Sequence, residues 1–159
     1  VVAPIDFQNL AHFFDALTLM YRVTTRLAAT NRTDNELVRI RELQKSYEDA
    51  VSEKNVPAMI EVNRDFHAEI ARAGKNRYYV ELFDRLLDEG RRLLRLYYSS
   101  FNDELPQLYL DEHEEMVQAV QDRDVAKADR IAQQHAQQIV RQIQAYITED
   151  RRLNANLTL

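Results

Sequence analysis

The sequence predicts an all-α fold, an antiparallel bundle of about six helices. Apolar residues recur at helical spacing along nearly the whole chain. The 159 residues include only 2 Gly and 3 Pro, too few turn formers for a β-rich fold. The joints between periodic stretches are short, which favours antiparallel neighbours.

Helix one reads from about Phe7 to Ala29, and helix two from about Asp34 to Glu53 with Asp34 as its cap. Asn55-Val56-Pro57 opens helix three, because proline is tolerated in a first turn, and Gly74 ends it as the residue just past the last turn, where glycine accepts left-handed backbone. Helix four runs from about Arg77 to Phe101. Pro106 opens helix five, which ends near Asp122, and helix six follows Asp124 to about Glu149. Residues 1–6 read as the stub of a linker, 7–153 as one helical domain and 154–159 as a frayed end. The chain opens on Val1 rather than Met, consistent with a partner domain ahead of it.

With 21 Lys plus Arg against 26 Asp plus Glu, a net charge of −5 and no dense basic block, these residues are not expected to grip nucleic-acid phosphates. The absence of Cys excludes disulfides, thiolate zinc sites and cysteine nucleophiles. No apolar run reaches the length of a membrane span and no basic-then-apolar leader opens the chain, so a cytoplasmic location without membrane contact is expected.

The inward stripes carry the candidate chemistry, since a polar residue there needs a partner. Helix three has Met59, Ile60, Asn63, Phe66, His67, Ile70 and Gly74, with Asn63 one turn before His67. The stripe of helix five contains His113 beside Met116, Val117 and Val120, and that of helix six contains His135 beside Ala132 and Ile139. A single buried histidine is most often a core residue bonded to a carbonyl or carboxylate. Three of the chain's 4 His on three inward stripes instead suggest a site assembled across helices, and imidazole suits divalent Zn, Ni, Cu or Fe. His12 reads as surface or packing. Di-iron Glu-x-x-His pairs, His-Glu-x-x-His, phosphate loops and nucleophile elbows are all absent from the sequence.

These segments, with Arg26-Leu27-Ala28-Ala29, Asn63-Arg64-Asp65-Phe66-His67, Ala73-Gly74-Lys75-Asn76, Glu112-His113 and Asp124 through Ala128 leading to His135, resemble the C-terminal effector-binding domain (FCD) of FadR-type regulators in the GntR superfamily. The resemblance spans nearly the whole chain. It implies a core cavity for metal and effector, in which Asn63, His67, His113 and His135 hold a divalent metal, Zn or Ni, that orients a small organic acid. It implies a homodimer that is not an enzyme and that meets DNA only through a winged-helix domain preceding Val1.

Two positions depart from the family pattern. Asn63 stands where many relatives have Asp, which leaves the ligand set neutral, favours an anionic effector and lowers metal affinity. Helix one has Thr18 and Tyr21 near the places where relatives carry Arg and Glu, so Tyr21 joins the effector candidates. Gly90 interrupts the stripe of helix four at a cost of about 1 kcal/mol relative to Ala. It reads either as close helix packing or as room for an effector, with Arg91 beside it as a carboxylate partner. Two other classes stay open: a metal-dependent hydrolase with Glu112 or Glu114 as base, and a metal-free bundle used only for protein association.

Overall fold

The computed structural model describes residues 9–156. The linker stub, the start of helix one at Phe7 and residues 157–159 lie outside them. Among the described residues there are seven α-helices and no strand: α1 (Leu10–Asn31), α2 (Asp34–Ser52), α3 (Val56–Ala73), α4 (Arg77–Glu89), α5 (Arg91–Ser99), α6 (Gln107–Gln121) and α7 (Val125–Asn156). The bundle is all-α as expected, with one helix more than the sequence reading. The difference lies at Gly90, where the stretch read as helix four divides into α4 and α5. Its hydrogen-bond ladder still passes through, Gly90 N donating to Leu86 O at 2.9 Å and Leu94 N to Gly90 O at 3.0 Å. A Cβ there would lie 3.4 Å from Phe13 Cζ of α1, so the aromatic ring crosses the chain where it carries no side chain. At the other end, α7 continues past Glu149 to Asn156.

Local chemistry accounts for the helix boundaries. Thr33, not Asp34, caps α2: its hydroxyl accepts from Glu36 N at 3.3 Å and Glu36 accepts from Thr33 N at 2.8 Å. The Thr-x-x-Glu spacing selects this capping box, leaving Asp34 in the first turn, where its charge suits the helix dipole. Asn55, Asn76 and Asp124 cap α3, α4 and α7 through Ala58 N, Tyr78 N and Lys127 N. Gly74 does not supply left-handed backbone; its φ is −73°, and Lys75 after it takes φ 65°. Lys54 and Arg123 do the same past α2 and α6. Glycine is needed at position 74 for space, since a Cβ would lie 2.9 Å from Leu27 Cβ of α1 and 3.1 Å from Ala71 O.

Consecutive helices are not always neighbours. Helices α1 and α2 make no packed contact; α1 instead packs on α7, α3, α4 and α6, while α2 packs on α3 and α6. The α1–α7 pair is antiparallel and clamped by Arg22, which donates two bonds to Asp129 at 3.1 and 2.9 Å. The α2–α3 pair is antiparallel as well, with Glu36 and Arg39 of α2 meeting Lys75 and Glu69 near the end of α3. Two apolar clusters result. One gathers Tyr21, Ile40, Phe66, Phe83 and Val117; the other gathers Phe14, Tyr47, Met59, Tyr98 and Ile143. Each large side chain buried in them contributes about 1.5–3 kcal/mol.

Because Leu27 meets position 74 through its Cβ, which cannot swing aside, Gly74→Ala forces α1 and α3 apart. It is expected to lower unfolding free energy by about 1–3 kcal/mol in chemical denaturation, whereas a glycine present only to end a helix would tolerate alanine at φ −73°.

Candidate metal centre

Helices α3, α6 and α7 each bring one histidine to the place where the two apolar clusters meet. His67, His113 and His135 are 1%, 1% and 4% exposed. One nitrogen from each lies within 4.8 Å of the others. Aromatic neighbours fix the rings. Tyr21 of α1 stands edge-on to His67 at 4.6 Å and to His135 at 5.5 Å. Phe66 stacks on His113 at 4.6 Å, and Tyr47 of α2 packs against His113 at 4.9 Å. Phe66 belongs to the first cluster and Tyr47 to the second, so His113 joins them.

Two of the rings are held from behind. His135 Nδ1 lies 3.0 Å from Glu112 Oε2, and His113 Nδ1 lies 3.2 Å from Gln44 Oε1. Carboxylate and amide oxygens only accept, so each Nδ1 carries a proton and each Nε2 is the ring atom left facing away from that bond. His67 Nε2, His135 Nε2 and Asn63 Nδ2 are buried with no hydrogen-bond partner. Buried polar atoms are nearly always paired, so unpaired nitrogens on three residues of one stripe set are the pattern that a bound ion or ligand relieves. A half-turn of the Asn63 amide presents Oδ1, a metal ligand, where Nδ2 finds no partner. The three-histidine group could therefore hold a metal ion. Burial first, and then the neighbouring imidazoles, hold His67 well below the ordinary histidine range. Burial and His135 do the same for His113. Both rings are neutral, as metal ligands must be.

The other residues singled out from the sequence separate. Tyr21 is in the cluster, and burial pushes its hydroxyl pKa up. Gly90 lines a small apolar cavity of about 20 Å³ shared with Tyr21, Phe13, Leu17 and Ile139, about the volume of one water. Arg91 is not brought to the histidines; it is half-exposed beside Asp88 and lies in a surface hollow with Arg92 and Arg95. His12 is exposed. Thr18 lines a surface groove between α1 and α7. Gln44 was missed, although the same stripe logic applies to it, since Ile40, Gln44 and Tyr47 share the buried face of α2. Glu112, a candidate base on the sequence alone, is instead the partner of His135.

The sequence matches the FCD domain over residues 13–138. The chain belongs to the FCD domain family. FCD domains are the effector-sensing regulatory domains of GntR-family transcription regulators, so the match agrees with the resemblance carried by the segments from Arg26 to His135. The fold is similar to Escherichia coli McbR/YncC, with a TM-score of 0.82 and 17% identity over 91% of this chain and 72% of that one. It is also similar to Streptococcus agalactiae GntR, with a TM-score of 0.72 and 18% identity over 88% of this chain and 62% of that one. At these identities the likeness carries the fold alone. No curated protein matches the chain significantly. Among the described residues, no helix is long and apolar enough to cross a membrane.

The neutral histidines of this FCD domain link its stability to pH. Folded His67 and His113 resist protonation, whereas both take protons when unfolded, near pH 6.5. Their folded-state pKa values are depressed, so their contribution is fully present above about pH 6.5 and is lost as pH falls below it. For metal-free protein the unfolding free energy is expected to drop by up to about 1.4 kcal/mol per pH unit per histidine in that range. Denaturant midpoints at several pH values between 7.5 and 5 check this.

Proposed function

We propose that this FCD domain senses a small organic acid at a divalent metal held by Asn63, His67, His113 and His135, and works as a homodimer that modulates DNA binding by a separate winged-helix domain. The observation that carries the reading is the set of buried imidazoles with nitrogens within 4.8 Å of one another, of which His67 Nε2 and His135 Nε2 lack any partner. The donor set of three imidazoles and one amide oxygen suits Zn or Ni. Bound there, such an ion supplies positive charge and open coordination positions for a carboxylate.

The chain's own residues do the rest. Tyr21 roofs His67 and His135, so an effector reaching the histidines meets an aromatic wall from α1. Asn63 adds no charge, which leaves the positive field of the site for the effector's anion. The histidines sit on α3, α6 and α7 while their partners come from α2 and α6. An acid bound among them can favour one arrangement of these helices only through a difference in its affinity for the two arrangements. The hydrolase reading needs a carboxylate ready to take a proton from water. Glu112 is already engaged by His135, and Glu114 pairs with Arg41 at the surface.

Protein isolated without chelator is expected to carry about one divalent metal per chain, and chelation to lower its melting temperature, because an ion bound only by the folded state stabilises it. Metal-free protein that shows no thermal shift with Zn or Ni counts against the site. Asn63→Asp separates the readings further. At a metal site it tightens metal binding and weakens a carboxylate effector; in a metal-free core it buries an uncompensated charge and costs several kcal/mol.

A further inference from the structure

We infer that Glu112 is a positioning residue: it holds His135 with Nε2 bare toward the other histidines and supplies, one hydrogen bond away, the negative charge that Asn63 withholds. The inference rests on the metal reading above and assigns a role to a residue outside the four ligand candidates.

The geometry carries it. Glu112 Oε2 lies 3.0 Å from His135 Nδ1, while His135 Nε2 is buried without a partner. An ionised carboxylate can only accept, so Nδ1 holds a proton in that bond and Nε2 is the nitrogen aimed into the core. The other backing bond comes from the neutral Gln44 amide. That amide is itself oriented, since Gln44 Nε2 donates to Glu48 Oε1 at 3.3 Å, which turns Oε1 toward His113. Among the described residues, Glu112 is the carboxylate bonded to a ring of this cluster. Other carboxylates in or near the core face cations away from these rings: Glu36 meets Lys75, Glu69 meets Arg39 and Arg72, and Asp84 lies 3.4 Å from Arg64. Three imidazoles and an amide bring no negative charge to a divalent cation, and Glu112 is the carboxylate one hydrogen bond behind that ligand set. A carboxylate behind a ligating imidazole fixes its tautomer and raises its basicity, and removing such a partner commonly lowers metal affinity about 10–100-fold. Glu112 is also placed to act without unfolding the core when changed, because its side chain is 22% exposed.

The test uses the 159-residue chain with Zn alone as probe. Long-range proton–nitrogen NMR of the metal-free protein reads the His135 tautomer. In the wild type it is expected to be the Nδ1–H form, and in Glu112→Ala a mixture. Zn titration is expected to show affinity lowered about 10–100-fold in Glu112→Ala and at least about tenfold in Glu112→Gln, which keeps an acceptor but removes the charge. Asn63→Asp is expected to recover more affinity in the Glu112→Gln background than in the wild type, because each supplies the same missing charge. An unchanged His135 tautomer in Glu112→Ala overturns the positioning role. Unchanged Zn affinity in Glu112→Gln, with folding verified by thermal melting, overturns the charge role. If the wild type takes up no Zn, the metal reading and the charge role fall together, while the tautomer measured without metal still decides whether Glu112 holds His135.

Discussion

Three imidazoles sealed into an apolar core impose the constraint on which the rest of this molecule depends. Each ring has two nitrogens, and an unpaired polar atom in a core costs about 1–3 kcal/mol. The bundle meets part of that demand with Glu112 and Gln44 behind His135 and His113. It leaves Nε2 of His67 and His135 unmet. A core built only for stability would have placed leucine or phenylalanine at these positions, as the surrounding stripes do. The unpaired nitrogens of these rings lie where α3, α6 and α7 converge beneath Tyr21 of α1.

Such convergence requires the helices to approach closely, and several unremarkable residues make this possible. Gly74 lets the end of α3 rest against Leu27, so that α1 runs beside α3 and Tyr21 reaches His67. Phe13 crosses at Gly90, where α4 passes into α5. Left-handed backbone at Lys54, Lys75 and Arg123 turns the chain sharply after α2, α3 and α6 without spending a glycine. The turn at Arg123 is also stitched to the start of the bundle, since its guanidinium donates to Thr30 O and Arg32 O at 3.0 Å each. Gly74 therefore serves packing between helices, while Gly90 marks the junction of α4 and α5.

The cluster is also connected beyond its own helices. His113 packs against Tyr47, whose hydroxyl meets that of Tyr98 on α5 at 2.9 Å in the second apolar cluster. Tyr97 on the same helix reaches Gln138 of α7 at 2.9 Å. The histidines are thus in contact with α2 through Tyr47, and through the Tyr47–Tyr98 pair with α5, while His135 is itself on α7. In a densely packed interior, small displacements pass between elements rather than being absorbed.

Periodicity alone placed His67, His113 and His135 on inward faces, because a buried face at helical spacing is a local property of the chain. Asn63 followed from its position one turn before His67. The breakers in the sequence likewise start α3 at Asn55-Val56-Pro57 and α7 after Asp124. What sequence could not decide was which faces meet. The short joint between α1 and α2 reads as an antiparallel pair, yet α1 packs on α7 instead, and pairing of that kind is fixed by burial summed over helices far apart in sequence. The partners of the rings were hidden for the same reason. Gln44 lies on α2 and its histidine on α6, 69 residues away, while Glu112, about 100° around α6 from His113, reaches not that ring but His135 on the neighbouring helix. Arg91 shows the converse: adjacent to Gly90 in sequence, it points to solvent because one residue turns a helix by about 100°. Helical spacing thus determines what is buried, and only the assembled bundle determines what each buried group touches.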